Sequence, residues 1–145
     1  MVFGFGAERE ERTALLILPE EVSAQHPFHP EVELRWDDEA PLRISTWTRK
    51  EEQSTLGEVQ VFDEHGKEVQ MFFPVSIPTV PDGERTVKKG EVLRIHLDLI
   101  GWPMFERAGS YYAIATFSGW CDGAGVRFTT KKRWFRVAER SPKNA

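Results

Sequence analysis

Cysteine is almost missing: the 145-residue chain has only Cys121, so no internal disulfide can brace it. That use of cysteine fits a reducing compartment. A basic surplus is missing too. With 19 Lys and Arg against 23 Asp and Glu, the net charge is −4. A phosphate-bearing partner would be repelled overall, so nucleic acid is not an expected ligand. No apolar run approaches the roughly 18 residues that cross a bilayer, and membrane insertion is not expected. The opening MVFGFGAEREERT has no basic stretch leading into an apolar run of about 7–15 residues. The expected location is therefore the cytoplasm, or the periplasm or exterior if an upstream signal was removed. Internal repeats, low-complexity segments and domain linkers are absent as well. A chain of this size can bury one core without a structural metal.

What is present is strand periodicity. In KKGEVLRIHLDLIGW, Leu93, Ile95, Leu97 and Leu99 alternate with Arg94, His96 and Asp98. One face is therefore buried and the other wet. After the corner GWPMFERAGS comes a run rich in aromatic and small apolar residues, 111–117, which reads as a second core strand. These two strands, within 87–118, organise the rest.

Residues 1–12 read as a tail or arm, with Phe3 and Phe5 ahead of a charge run. TALLILP gives a first strand that ends at Pro19, and 20–30 connects it onward. Val32, Leu34 and Trp36 alternate with charged residues, with Trp36 as core anchor. After a turn, Leu42, Ile44 and Thr46 face inward and Trp47 outward. Residues 49–55 read as a charged link, and GEVQVFDEHGKEVQMFF as a hairpin with His65 and Gly66 at its tip. Three prolines make 73–84 an extended surface loop. The long strand then spans 87–99, a glycine-rich loop covers 119–125, and a last strand spans 126–138. About eight strands with regular turn signals and no helix beyond a turn or two predict an all-β, antiparallel sandwich over 13–138, with a polar tail at 139–145.

The ordered series VELRW, APLRI, VQVFDEHGKEV, VKKGEVLRIHL and AGSYYAIATF is similar to the immunoglobulin-like sandwiches of bacterial proteins. Gly109, Ser110 and Tyr111 stand where those domains enter their penultimate strand. The resemblance implies that the Tyr111 hydroxyl satisfies a backbone group at the corner. The series also resembles the bacterial intracellular proteinase inhibitor domain, through residues 63–69 and the pair Gly90 and Glu91. That likeness implies an inhibitor whose proline-braced loop, 74–83, inserts into a protease. Fold alone does not fix function.

Catalytic and metal chemistry finds little support. His26 and His29 are spaced to share a metal, but no cysteine–histidine signature completes a site. His96 and Asp98 share the wet face of their strand without a nucleophile. Cys121 sits in GWCDGAG with no helix N-terminus or predicted cation to activate it, and the loop matches no phosphate-binding pattern. Neither a catalytic residue, a metal nor a cofactor is assigned, and an enzyme is not expected.

The sharper signal is on the penultimate strand. With Tyr111, Ala113, Ala115 and Phe117 inward, Tyr112 and Ile114 must stand on the face that a sandwich normally shows to water. The expectation is a protein-interaction module, a small subunit or adaptor, that self-associates or binds another protein. The residues assigned to the contact are Tyr112, Ile114, Trp102, Trp120, Trp134, Lys132 and Arg133, since aromatics anchor interfaces and the last strand is basic. Trp47 adds a further indole. Exposed tryptophans also suit a carbohydrate-binding module, and a basic, aromatic strand suits single-stranded nucleic acid.

Overall fold

Alternating apolar residues dictate strands, and strands are what the chain forms. A computed structural model describes residues 10–23, 29–49, 51–73 and 80–139, and among these there is no helix, hence none long and apolar enough to cross a membrane. The strands are β1 Glu10–Ile17, β2 Glu21–Ser23, β3 Glu31–Arg35, β4 Leu42–Arg49, β5 Glu52–Asp63 and β6 Met71–Phe72. They continue as β7 Gly83–Val87, β8 Val92–Leu99, β9 Trp102–Pro103, β10 Gly109–Cys121, β11 Ala124–Thr130 and β12 Arg133–Ala138.

Ten strands form one sheet in the order β2-β12-β10-β11-β1-β3-β8-β5-β4-β7, and β6 pairs with β9 in a small second sheet. Because β10 also pairs with β5, hydrogen bonding runs from β10 through β11, β1, β3, β8 and β5 and returns to β10. Two strands make the crossings. In β1, residues 10–14 follow β11 and residues 15–17 follow β3. In β5, residues 54–57 follow β8 and residues 57–63 follow β10. The arrangement is consistent with a β-sandwich closed along both margins, which leaves fewer bare edges for unwanted pairing.

The all-β expectation holds, but the sheet is mixed rather than antiparallel and has more strands than expected. β1–β11, β5–β8 and β12–β2 are parallel pairs. The strand expected over 87–99 begins only at Val92, because Val87 ends β7, which reaches back into the expected loop at Gly83 and Glu84, and a turn follows in which Gly90 adopts φ +86° and its N–H donates to the Trp36 carbonyl. The strand expected over 126–138 divides. At Ala115 the ladder partner is the Thr130 hydroxyl, 2.9 Å from the Ala115 nitrogen, so the backbone leaves the ladder there and returns at Arg133.

Further expectations shift at their ends. Glu10 to Arg12, read as tail, belong to β1, and the Arg12 guanidinium lies 4.8 Å from the Trp36 ring centroid. Of residues 49–55, read as a link, Arg49 ends β4 and Glu52 to Thr55 begin β5, with Arg49 and Glu52 in register. The expected loop over 119–125 is a hairpin, because Cys121 pairs with Ala124 around Asp122 and Gly123 at φ +53° and +78°. That is the Asp-Gly chemistry of a mirror-image two-residue turn. The hairpin at His65 and Gly66 closes only through the Phe62–Glu68 bridge before the chain leaves to pair with β9. Asp63 accepts from the backbone N–H groups of Lys67 and His65, and the first of these bonds, above all, holds its carboxyl below the usual range. Pro74 to Thr79, Phe3, Phe5, His26 and residues 140–145 lie outside the described residues.

Inward residues meet in one core. Leu93, Ile95, Leu97 and Leu99 line it from β8, Val32, Leu34 and Trp36 from β3 and beyond it, and Tyr111, Ala113, Ala115 and Phe117 from β10. The Tyr111 hydroxyl donates to the Arg107 carbonyl at 2.7 Å, and burial, above all, raises its pKa. The corner between β9 and β10 is thereby tied down. Tyr111→Phe should cost about 1–2 kcal/mol, one hydrogen bond and its orphaned carbonyl, as read by urea denaturation. An unchanged midpoint would show that the bond does not stabilise the corner.

Candidate functional site

Strand parity builds an outward face on β5, β10 and β12. Tyr112 faces Phe62 on one side and Trp134 on the other, so three rings stand in a row across three strands. Phe62 stacks on Tyr112 with centroids 5.0 Å apart and planes at 21°, and Trp134 lies 5.0 Å from Tyr112 at 58°. The Lys132 ammonium sits 4.4 Å from the Tyr112 centroid, a cation–π contact. Ile114 follows Tyr112 on the same face of β10, next to Gln60 on β5. Trp134 remains 50% exposed, so the row opens to solvent at that end.

Charges of both signs line this face, and exposed Glu21 on β2 is the register partner of Arg136. On the β5 side stand Glu58, paired with Thr116, and Glu68, bridged to Phe62. On the β11 and β12 side stand Arg127, Lys132 and Arg136, the first paired with Ser118 and the last with Ser110. Elsewhere oppositely charged side chains meet, as in Arg12 with Asp38, Arg43 with Glu84, Lys89 with Glu39 and Arg94 with Glu31. Glu58, Glu68, Arg127, Lys132 and Arg136 form no ion pair among the described residues.

Two recesses open onto the face. One of about 310 Å³ has Ile114 and Thr116 on one side and Met71, Phe73 and Gly101 on another. The other, about 370 Å³, lies where β4, β5 and β10 part, between Trp47 and Trp120 over Leu56 and Ile100. There the Thr55 hydroxyl donates to the Ser45 carbonyl at 2.9 Å, so a side chain replaces the missing ladder bond.

The predicted contact residues do not all meet. Tyr112, Ile114, Trp134 and Lys132 share the face described. Trp120 shares its side of β10 but lies eight residues from Tyr112, about 26 Å along an extended strand. Trp102 belongs to the small sheet, where it packs against Phe72 at 6.1 Å. Arg133 turns the other way and donates to the Leu18 carbonyl at 3.0 Å, a contact that ties β12 to the end of β1. Arg127, from the basic last strand, joins the face, and Phe62, Glu58 and Glu68 complete it and were not foreseen, because only the strand register brings them beside β10.

The candidate chemical groups stay dispersed. His29 is exposed, and His96 Nε2 lies 3.5 Å from Glu52. Cys121 is half-buried, with Sγ 3.5 Å from the Ala40 carbonyl. No group of three or more His, Cys, Asp and Glu side chains among the described residues is placed to hold a metal ion. Compared with models of known protein families and with curated proteins, the chain matches none.

Proposed function

We propose that this chain is a non-catalytic protein-interaction module, a small subunit or adaptor on an immunoglobulin-like sandwich, that docks protein through the outward face of β5, β10 and β12. The observation that carries this reading is the row Phe62, Tyr112 and Trp134, an aromatic strip on the water side of β10. Aromatic residues in a partly exposed cluster are the usual anchors of protein interfaces. The immunoglobulin-like assignment draws support from the Tyr111 to Arg107 hydrogen bond, the corner contact typical of such sandwiches.

The ring geometry favours protein over a flat ligand. Sugars and bases stack on open ring faces. Tyr112 is flanked by Phe62 and Trp134 and covered by Lys132, so its faces are occupied. Of the segment 74–83 that an inhibitor would insert, only residues 80–83 are described, and no observation on them favours that alternative.

The test is affinity capture from native extract with the wild type and a Tyr112→Asp, Ile114→Asp variant, its fold checked by circular dichroism. A protein held by the wild type and reduced at least tenfold on the variant is expected. Equal capture by both would remove this face from the docking role.

A further inference from the structure

We infer that the recess between Trp47 and Trp120 is a second binding site, one that takes an uncharged saccharide chain. The inference goes beyond the docking role. Trp120 lies eight residues along β10 from Tyr112, and neither Tyr112 nor Ile114 borders this recess.

The recess, about 370 Å³, opens where β4 and β10 part after the Trp120–Arg43 pair. Trp47 follows Arg43 by four residues, so the two indoles are rooted about 13 Å apart along the strands. Both stand on the outward side, Trp120 at 36% exposure and Trp47 half-buried. The crowding around Tyr112 has no counterpart here: among the described residues neither indole has another ring or a cation against it. The Trp47 N–H is buried and without a hydrogen bond, so this indole lines the recess with carbon.

Polar groups complete the site. Ser45, Thr116 and Ser118 line it, and their hydroxyls bond to no other described residue. Glu58 stands beside Thr116 on β5 and Arg127 beside Ser118 on β11, so opposite charges flank the recess from either side of β10. Two strand spacings, about 10 Å, keep the two from pairing. Glu58, Thr116 and Arg127 also border the neighbouring recess, but the two indoles belong to this one alone.

This set of groups selects the ligand class. An anion would be opposed by Glu58 and a cation by Arg127, so a neutral ligand fits both. A wholly apolar ligand would strip water from the hydroxyls and charges without replacing their hydrogen bonds. Indoles rooted about 13 Å apart suit successive rings of a chain better than the two faces of one flat ring. A pyranose chain meets each requirement. Its C–H faces pack on the negative faces of the indoles, and its hydroxyls both donate and accept. The volume is at the small end of ligand pockets, so the expected dissociation constant is roughly 0.1–1 mM.

The test is isothermal titration calorimetry of the purified full chain with three uncharged tetrasaccharides, maltotetraose, cellotetraose and chitotetraose, each taken to about 10 mM. At least one should bind. Trp47→Ala and Trp120→Ala, each checked for fold by circular dichroism, should weaken that binding at least about tenfold through loss of a stacking surface. Trp120 is exposed enough that its removal spares the core, so this variant reports on the site even if Trp47→Ala does not fold. The Tyr112→Asp, Ile114→Asp variant should bind the saccharide as the wild type does, so the site and the docking role stand or fall separately. Absence of binding by all three saccharides would overturn the inference, and so would an affinity that Trp120→Ala leaves unchanged.

Discussion

Trp36→Ala should destabilise the fold by about 4 kcal/mol, a large part of the roughly 5–15 kcal/mol that holds a domain together. Trp36 is 1% exposed, and its ring meets Phe128 edge-on at 6.4 Å. Its indole N–H donates to the Ala40 carbonyl at 2.8 Å and so fixes the turn between β3 and β4. Arg12 covers the ring at 4.8 Å and pairs with Asp38 at 2.6 Å, which draws in β1. The backbone of Trp36 also exchanges hydrogen bonds with the turn before β8, donating to Glu91 and accepting from Gly90. Truncation would leave a cavity among β1, β3 and β8 and strip the Ala40 carbonyl of its donor. Trp36→Phe keeps an aromatic ring but loses the N–H, and should cost about half as much. Urea denaturation of the three proteins checks this. A loss below 1 kcal/mol for Trp36→Ala would mean that the site refills and that Trp36 is no anchor.

Trp36 was legible in the sequence because period two places it after Val32 and Leu34, and the same rule exposed Tyr112 and Ile114. Alternation gives a residue its face but not its neighbours. That is why Phe62, Glu58 and Glu68 were missed: their place beside β10 follows from the β5 register and from the short return at Glu68. The crossings made by β1 and β5 were hidden for the same reason, since changing partners midway leaves the hydrophobic pattern of a strand unaltered. Arg133 was open to better reading. It adjoins both Lys132 and Trp134, so strand parity alone sets it on the other face, where it bonds Leu18. The turns at Lys88 to Glu91 and at Asp122 and Gly123 were also written in the chain, as glycines that take positive φ. A strong apolar alternation on one side and a glycine-rich composition on the other drew the strand ends to the wrong places.

Gly119→Ala should lose about 2–3 kcal/mol, and the cause is proximity rather than backbone conformation. A Cβ at Gly119 would fall 2.7 Å from the Arg43 carbonyl oxygen, 3.0 Å from Ile44 Cγ1 and 3.1 Å from Leu42 Cδ1. The two side chains can turn aside, but the carbonyl belongs to β4 and moves only with its strand. Among the described residues Trp120 to Arg43 is the single ladder pair between β4 and β10, so the added methyl group acts right beside it. Relief would push β4 outward and widen the recess between Trp47 and Trp120. Gly123→Ala is the control of opposite kind. Nothing lies within 4 Å of its Cβ position, but its φ of +78° penalises a side chain by about 1 kcal/mol. Urea denaturation should therefore rank Gly119→Ala as the costlier change even though Gly123 has the unusual backbone. The reverse order would show that β4 yields easily and that its approach to β10 does not constrain the sheet.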